Sequence, residues 1–380
     1  MKNFGILGDV EVRLGRLNVL VGPNGSGKST LLGVIDFLGD AARTSLANAI
    51  EKRFGWNRVH TRGGRGPIQF GITADVTANA RQNAPDEYDL TVWHFPEREA
   101  FVLEETFRFK RTAGQGRRIT LKNGRLSVSS GKGKQLNLTL DKDAFGLAVL
   151  PSLGPDRGAG EVRKVQELFT TFRVLDVDAV KARAASDLRG GAQLKNDGSN
   201  LAAFLAHLHA QDPGTFSRLV RDAKAIVPGL KDLKLRPVGG ATEAAAIDLV
   251  DEHLPGVTPL ADASFGTVRA LALLAMLHDP KPPTLTCVEE IDHGLHPHVF
   301  DRLVDLLREA SKRTQFLIAT HSPALVNRLD AGELIVCERG EDGLARIPAV
   351  DAETVREVLD GSPYGLGELW FSGTLGGVPQ

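Results

Sequence analysis

The feature that most constrains this chain is the run Gly22-Pro23-Asn24-Gly25-Ser26-Gly27-Lys28-Ser29-Thr30, directly after the apolar segment Leu17-Asn18-Val19-Leu20-Val21. Glycines recur here because a backbone that turns its N–H groups inward around an anion must pass through left-handed conformations, which side chains disfavour. Beyond the loop, Leu31, Val34, Ile35 and Leu38 recur at helical spacing. Strand, glycine-rich loop and helix is the order a phosphate-binding loop requires. The loop amides and the positive end of the helix would hold phosphate oxygens, Lys28 would add a point charge, and the Ser29 hydroxyl would face Mg²⁺. Asn24, Gly25, Ser26, Gly27, Lys28, Ser29 and Thr30 are thus the predicted nucleotide-binding positions.

A second element, Thr284-Leu285-Thr286-Cys287-Val288-Glu289-Glu290, reads as a buried strand ending in two carboxylates. Two acids after an apolar run are often a solvated strand end. Following a phosphate loop, they supply what phosphoryl transfer lacks: Glu289 to hold Mg²⁺ and Glu290 to orient and deprotonate the attacking water. His321 ends the next apolar strand, Gln315 to Thr320, ahead of the cap and first-turn proline Ser322-Pro323. It is expected beside the γ-phosphate, at the carboxyl edge where such sheets bind ligands. Ser264-Phe265-Gly266-Thr267-Val268-Arg269 precedes a strongly apolar helix and by itself is a helix cap.

Taken in order, the phosphate loop, Ala263 to Arg269, Val288-Glu289-Glu290-Ile291-Asp292-His293-Gly294-Leu295-His296-Pro297 and Ala319-Thr320-His321-Ser322-Pro323-Ala324-Leu325 resemble the Walker A, signature, Walker B with D-loop, and switch-histidine motifs of RecF-like and OLD-like ABC ATPases. Asp197-Gly198-Ser199-Asn200-Leu201 is similar to a segment of the same group. The resemblance implies an α/β P-loop ABC-ATPase head with mixed parallel and antiparallel sheets and a helical insertion, using ATP and Mg²⁺. It implies Glu290 as catalytic base, and Ser264 and Gly266 as contacts to the γ-phosphate of ATP held by a second copy, so that ATP joins a homodimer. Glu289 stands where Asp is commoner, Ile291-Asp292 where Pro-Glu is usual, and Phe265 where the signature has a small polar residue. These departures bear on the hydrolysis rate; a non-hydrolysing scaffold gated by nucleotide is the alternative. A transporter subunit fits less well, because Gly294-Leu295-His296-Pro297 differs from the usual transporter D-loop.

The organisation expected is an N-terminal part of the head over 1–150, a mainly helical insertion over 151–240 and a C-terminal part over 241–380. Short alternating segments from Gln69 to Leu140 predict antiparallel sheet, with Asn123-Gly124 as a hairpin turn. Gln69 is the candidate Q-loop glutamine, although its strand pattern is ordinary. Helical periodicity runs from Glu161 to Val227, with Asp197 to Asn200 as a capping region. Strands are expected at Val10 to Leu14 and Ala245 to Val250, the latter joining a C-terminal strand–helix alternation that argues for parallel sheet. The 233 residues between Thr30 and Ser264 carry no sustained apolar heptads, so ATPases of the SMC class, with their long coiled coils, match poorly there.

Of the residues, 42% are hydrophobic and 24% charged, with a net charge of −1, so nucleic acid would have to be held by a local basic patch. Two stretches qualify: Lys52-Arg53 with Arg58, His60, Arg62 and Arg65, and Arg108-Lys110-Arg111 with Arg117, Arg118, Lys122 and Arg125. Solvated hairpins are the bland reading. Trp56, Trp93 and Trp370 are too scattered in sequence for a stacking platform. Cys287 and Cys337 lie in apolar runs and read as reduced core thiols. With no signal-like start and no long apolar run, the expected location is the cytoplasm. Only 59 residues follow His321, too few for a fused Toprim nuclease, so a nuclease or toxin effector is expected as a separate protein.

Overall fold

The computed structural model describes residues 1–81, 83–95, 100–110, 116–130, 136–142, 144–154, 159–239 and 243–376. Its contacts divide the chain into two compact units. One comprises Met1–Val12, Asn24–Phe172 and Cys337–Pro348, the other Arg13–Pro23, Arg173–Val336 and Ala349–Gln380. Each unit draws chain from all three of the predicted segments.

The first unit is built on an eight-stranded antiparallel sheet in the order Leu7–Asp9, Lys2–Phe4, Ile68–Ala74, Asp86–Phe95, Ala100–Phe109, Arg117–Lys122, Arg125–Ser130 and Leu136–Thr139. The predicted hairpin is present, with Asn123 and Gly124 both left-handed at φ 48° and 75°, the turn whose twist matches paired strands. The helix Lys28–Arg43 packs Phe37 against Phe4 and Phe70, ring centroids 5.3 and 5.7 Å away. The helix Ala159–Thr171 sets Phe169 5.5 Å from Tyr88. Between these layers Glu105 is fully buried, accepting from the Tyr88 hydroxyl and the Leu147 amide, each at 3.0 Å, and from the Gly146 amide.

The second unit holds five parallel strands in the order Arg173–Leu175, Leu285–Val288, Gln315–Ala319, Leu17–Val21 and Leu334–Val336. The N-terminal strand thus lies between two C-terminal ones, as the motif order requires. Asn18 is tolerated inside it because its side chain donates to the Phe316 and Gly15 carbonyls at 2.7 and 3.1 Å. The helix Phe265–Leu277 is buried continuously from Ala270 to Leu277, as a helix that is apolar all round must be.

Three expectations are corrected. Val10 to Leu14 is not a strand: pairing ends at Asp9, and Gly15 and Asn18 form a local turn in which the Gly15 amide donates to the Asn18 side chain at 2.7 Å. Ala244–Asp251 is a strand, but it joins an antiparallel sheet with Leu230–Val238, Ser186–Asp187 and Thr258–Pro259, because it follows its partner by a hairpin rather than by a helical crossover. Asn200 precedes the helix Leu201–Gln211 without capping it; its side chain instead binds the Lys195 amide and the Gly190 and Gln193 carbonyls.

Candidate functional site

At the carboxyl edge of the parallel sheet, three adjacent strands deliver three predicted motifs. Leu285–Val288 runs into Glu289-Glu290, Gln315–Ala319 into Thr320-His321, and Leu17–Val21 into Gly22-Pro23. The register puts Val288 opposite Ile318 and Ala319 opposite Leu20. His321 is exposed at this edge and Glu289 half-buried.

Glu290 has a left-handed backbone, φ 47°, which a residue with a side chain adopts only where its surroundings enforce it. Arg269 does so: its Nη2 donates to the carbonyls of Glu289 and Glu290 at 3.0 and 2.7 Å. Burial lowers the pKa of this guanidinium, against the opposing pull of Asp176, Glu290 and Asp292. The Glu290 carboxylate stays exposed, 3.1 Å from Nδ1 of His293. The departures at Ile291 and Asp292 have structural causes. Ile291 is a fully buried member of the core, and Asp292 accepts from the hydroxyl of buried Thr320, tying the end of one strand to the end of the next.

Ser264 caps the helix Phe265–Leu277, its hydroxyl accepting from the Thr267 amide at 3.1 Å. Phe265 is 59% exposed, with the Arg183 guanidinium 4.5 Å from its ring centroid. Gly266 packs on the loop after the carboxylates: a Cβ built on it would stand 2.3 Å from the Gly294 carbonyl oxygen. Because the obstacle is backbone, Gly266→Ala is expected to destabilise the chain by roughly 1–3 kcal/mol, read as a lowered thermal midpoint; an unchanged midpoint would mean that the two glycines are not held together.

In the first unit, the loop from Asn24 leads into the helix Lys28–Arg43. Gly25 and Gly27 are left-handed, φ 79° and 100°, and the first helical turn carries no acidic residue. Asn24, Gly25 and Ser29 are exposed, Thr30 half-exposed, and Lys28 buried. The Ser26 hydroxyl is fully buried and has no hydrogen-bond partner among the described residues. An unspent buried hydroxyl, left-handed glycines and an acid-free helix start together suit a phosphate group. Ser29 and Glu289, the residues expected to face Mg²⁺, each offer a hard oxygen of the kind this ion takes, a hydroxyl and a carboxylate.

Gln69 is the second residue of the strand Ile68–Ala74, paired with Lys2 and Thr91. The second basic stretch is largely neutralised: Arg108 pairs with Glu87 and Asp89, Lys110 with Glu87, Arg117 with Glu161 and Lys122 with Glu104; Arg111 lies outside the described residues. In the first stretch, Lys52 pairs with Asp40, and Arg53 with Asp36 and Asp40. Cys287 and Cys337 are buried and in no disulfide, and burial pushes the pKa of the Cys337 thiol up to about 12.

Sequence reading missed two arrangements. It gave Arg269 no task, since nothing in a helix cap signals a backbone contact 20 residues away. It also dismissed the tryptophans, yet Trp56 stacks with His60 and His94 at 5.1 and 5.2 Å, and Phe101 lies 5.0 Å beyond His94. These rings, except His60, line a recess of about 530 Å³ with Phe54, itself left-handed at φ 63° and 88% exposed. Only sheet pairing and the short helix Trp56–Val59 bring such distant positions together.

A phosphate loop behind a buried parallel strand, with paired carboxylates and a histidine at the carboxyl edge of the same sheet, defines an ABC-type P-loop ATPase fold. The chain belongs to the family described as "AAA domain, putative AbiEii toxin, Type IV TA system", whose model matches residues 17–121 and 127–327. It is accordingly a nucleotide-binding protein of an AAA ATPase family. No curated protein matches it significantly. Similar solved structures include an SMC head bound to the C-terminal winged-helix domain of ScpA (18% identity, 94% of this chain and 97% of that one, TM-score 0.47). Others are the Pyrococcus furiosus SMC head with an extended coiled coil, bound to the C-terminal domain of ScpA (16%, 95% and 97%, 0.45), and the Thermotoga maritima SMC head (16%, 92% and 97%, 0.39). Among the described residues no helix is long and apolar enough to cross a membrane.

Proposed function

We propose that this chain binds ATP at the phosphate loop, hydrolyses it, and is joined to a second copy of itself by the nucleotide. The observation that carries the binding step is the buried, unpartnered Ser26 hydroxyl between two left-handed glycines, ahead of a helix that starts without an acid. Lys28 supplies charge to the phosphates; Ser29 and Glu289 would hold Mg²⁺, whose charge would offset that of the phosphoryl oxygens. Glu290 takes the proton of the attacking water, and His321 stands by the γ-phosphate. Ser264 and Gly266 belong to the ATP of the partner copy. Their support is that the signature end of the helix is exposed, Phe265 included, although the helix behind it is core.

Engagement of two heads by ATP, and release after hydrolysis, is a population shift driven by nucleotide. Its output acts through a separately encoded nuclease or toxin effector in antiphage defence or DNA maintenance; the family description, with its toxin and type IV toxin–antitoxin system, supports that setting. Nucleic acid is a further partner, with Arg58, Arg62 and Arg65 exposed and outside every ion pair found among the described residues. The site of action is the cytoplasm.

Mass in solution with MgATP tests the dimer. Wild type is expected to shift toward the dimer, and Ser264→Arg to remain a monomer because a long cation replaces the small contact at the γ-phosphate. A Ser264→Arg protein that dimerises with ATP as wild type does would remove the signature from the interface. Dimerisation without turnover in wild type would make the chain a nucleotide-gated scaffold instead.

A further inference from the structure

Glu341-Asp342-Gly343 forms a tight turn. The structure builds there a hairpin of Glu338–Arg339 and Ala345–Arg346, in the same compact unit as the loop from Asn24 onward. The hairpin packs directly on that loop. A Cβ built on Gly27 would stand 2.7 Å from Ala345 Cβ and 3.3 Å from Ile347 Cδ1, so loop and hairpin meet with no room for a side chain between them. The Ala345 amide donates to the Ile6 carbonyl at 2.8 Å, fixing the hairpin to the N-terminal strands.

This packing brings one guanidinium to the loop. Nη1 of Arg339 is 3.8 Å from the position a Cβ on Gly25 would take. Nε of Arg339 donates to the Gly343 carbonyl at 3.0 Å, which orients the guanidinium and leaves its Nη groups unspent. Among the described residues no carboxylate lies within ion-pair distance of it, whereas Arg108 and Arg308 each have two and Arg328 has Asp301. An exposed arginine held by backbone and aimed at a glycine of an anion-binding loop has no structural task for its charge. A planar fork of N–H donors is the side chain best matched to phosphate oxygens.

We propose that Arg339 is a second cation of the nucleotide site, contacting the phosphate chain of ATP from the C-terminal hairpin while Lys28 contacts it from the loop helix. The inference rests on the reading of Gly22 to Thr30 as the ATP site. Its consequence is that the hairpin of Glu338–Arg339 and Ala345–Arg346 is part of the binding machinery rather than a surface ornament.

Titration of the full chain with MgATP by calorimetry tests this, with wild type, Arg339→Ala, Arg339→Gln and Arg339→Lys. Arg339→Ala and Arg339→Gln are expected to bind ATP roughly ten- to a hundredfold more weakly, with Arg339→Lys in between because it keeps charge and loses the fork. The thermal midpoint without nucleotide should stay at the wild-type value. Should it fall in Arg339→Ala, through loss of the Gly343 contact, the comparison passes to whichever of the other two variants keeps it. Affinity within twofold of wild type in a folded variant overturns the proposal. A wild type that does not bind ATP fails differently: it removes the phosphate-loop reading, and this inference with it.

Discussion

Glu290→Gln is expected to lower the steady-state rate of phosphate release from ATP by roughly two to four orders of magnitude while leaving ATP affinity within a few-fold of wild type. The amide keeps the shape of the carboxylate and its hydrogen-bonding reach, but it cannot accept the proton of the attacking water. Binding energy in the proposed site comes from the loop amides, Lys28 and Arg339, none of which the substitution touches. The backbone at Glu290 should also persist, because the left-handed φ of 47° is held through the carbonyls by Arg269 rather than through the carboxylate. With hydrolysis blocked, ATP should trap the variant as a dimer, seen as a doubled mass that decays only slowly on dilution. Turnover equal to wild type would place the base elsewhere.

The second large effect concerns stability. Burial pushes the Glu105 carboxyl up from the ordinary glutamate value of 4.5 to about 7, although the Gly146 amide, the Tyr88 hydroxyl and the Leu147 amide pull it down. The sign follows from proton counting. Between pH 4.5 and about 7 the folded chain holds a proton that the unfolded chain has released, so protonation favours the fold below that window. The contribution is lost as pH rises through the folded value. Relative to Glu105→Gln, which has no proton to lose, wild type should therefore weaken by roughly 2.5 kcal/mol between pH 5 and pH 8. Urea unfolding of both proteins at the two pH values measures it. A difference that does not change with pH would mean that three donors keep the carboxylate ionised in spite of its burial.

Motifs were legible because each is local. The loop, the carboxylate pair, the Ser322-Pro323 cap after His321 and the Asn123-Gly124 turn are each set by a few consecutive residues whose conformational demands are distinctive. Ala245 to Val250 was legible as a strand but not as an antiparallel one, since pairing direction depends on what lies alongside. Asn200 looked like a cap because caps are chosen from that residue type; three backbone partners from residues 190 to 195 outbid the helix for its side chain. Ile291 and Asp292 read as departures from a pattern, and burial and Thr320 give them their reasons.

The sequence by itself determined the family, the phosphate loop between a strand and a helix, and the chemical types that end the neighbouring strands, because these follow from short-range periodicity and from side-chain chemistry. Tertiary structure alone decided that Arg269 holds the backbone of Glu290, that Gly266 and Gly294 touch, that Glu105 is sealed from water, and that Arg339 reaches Gly25 across 313 residues of intervening chain. Each of those depends on which backbone segments come within a few ångströms of one another, a property of the packed chain that no run of adjacent residues encodes.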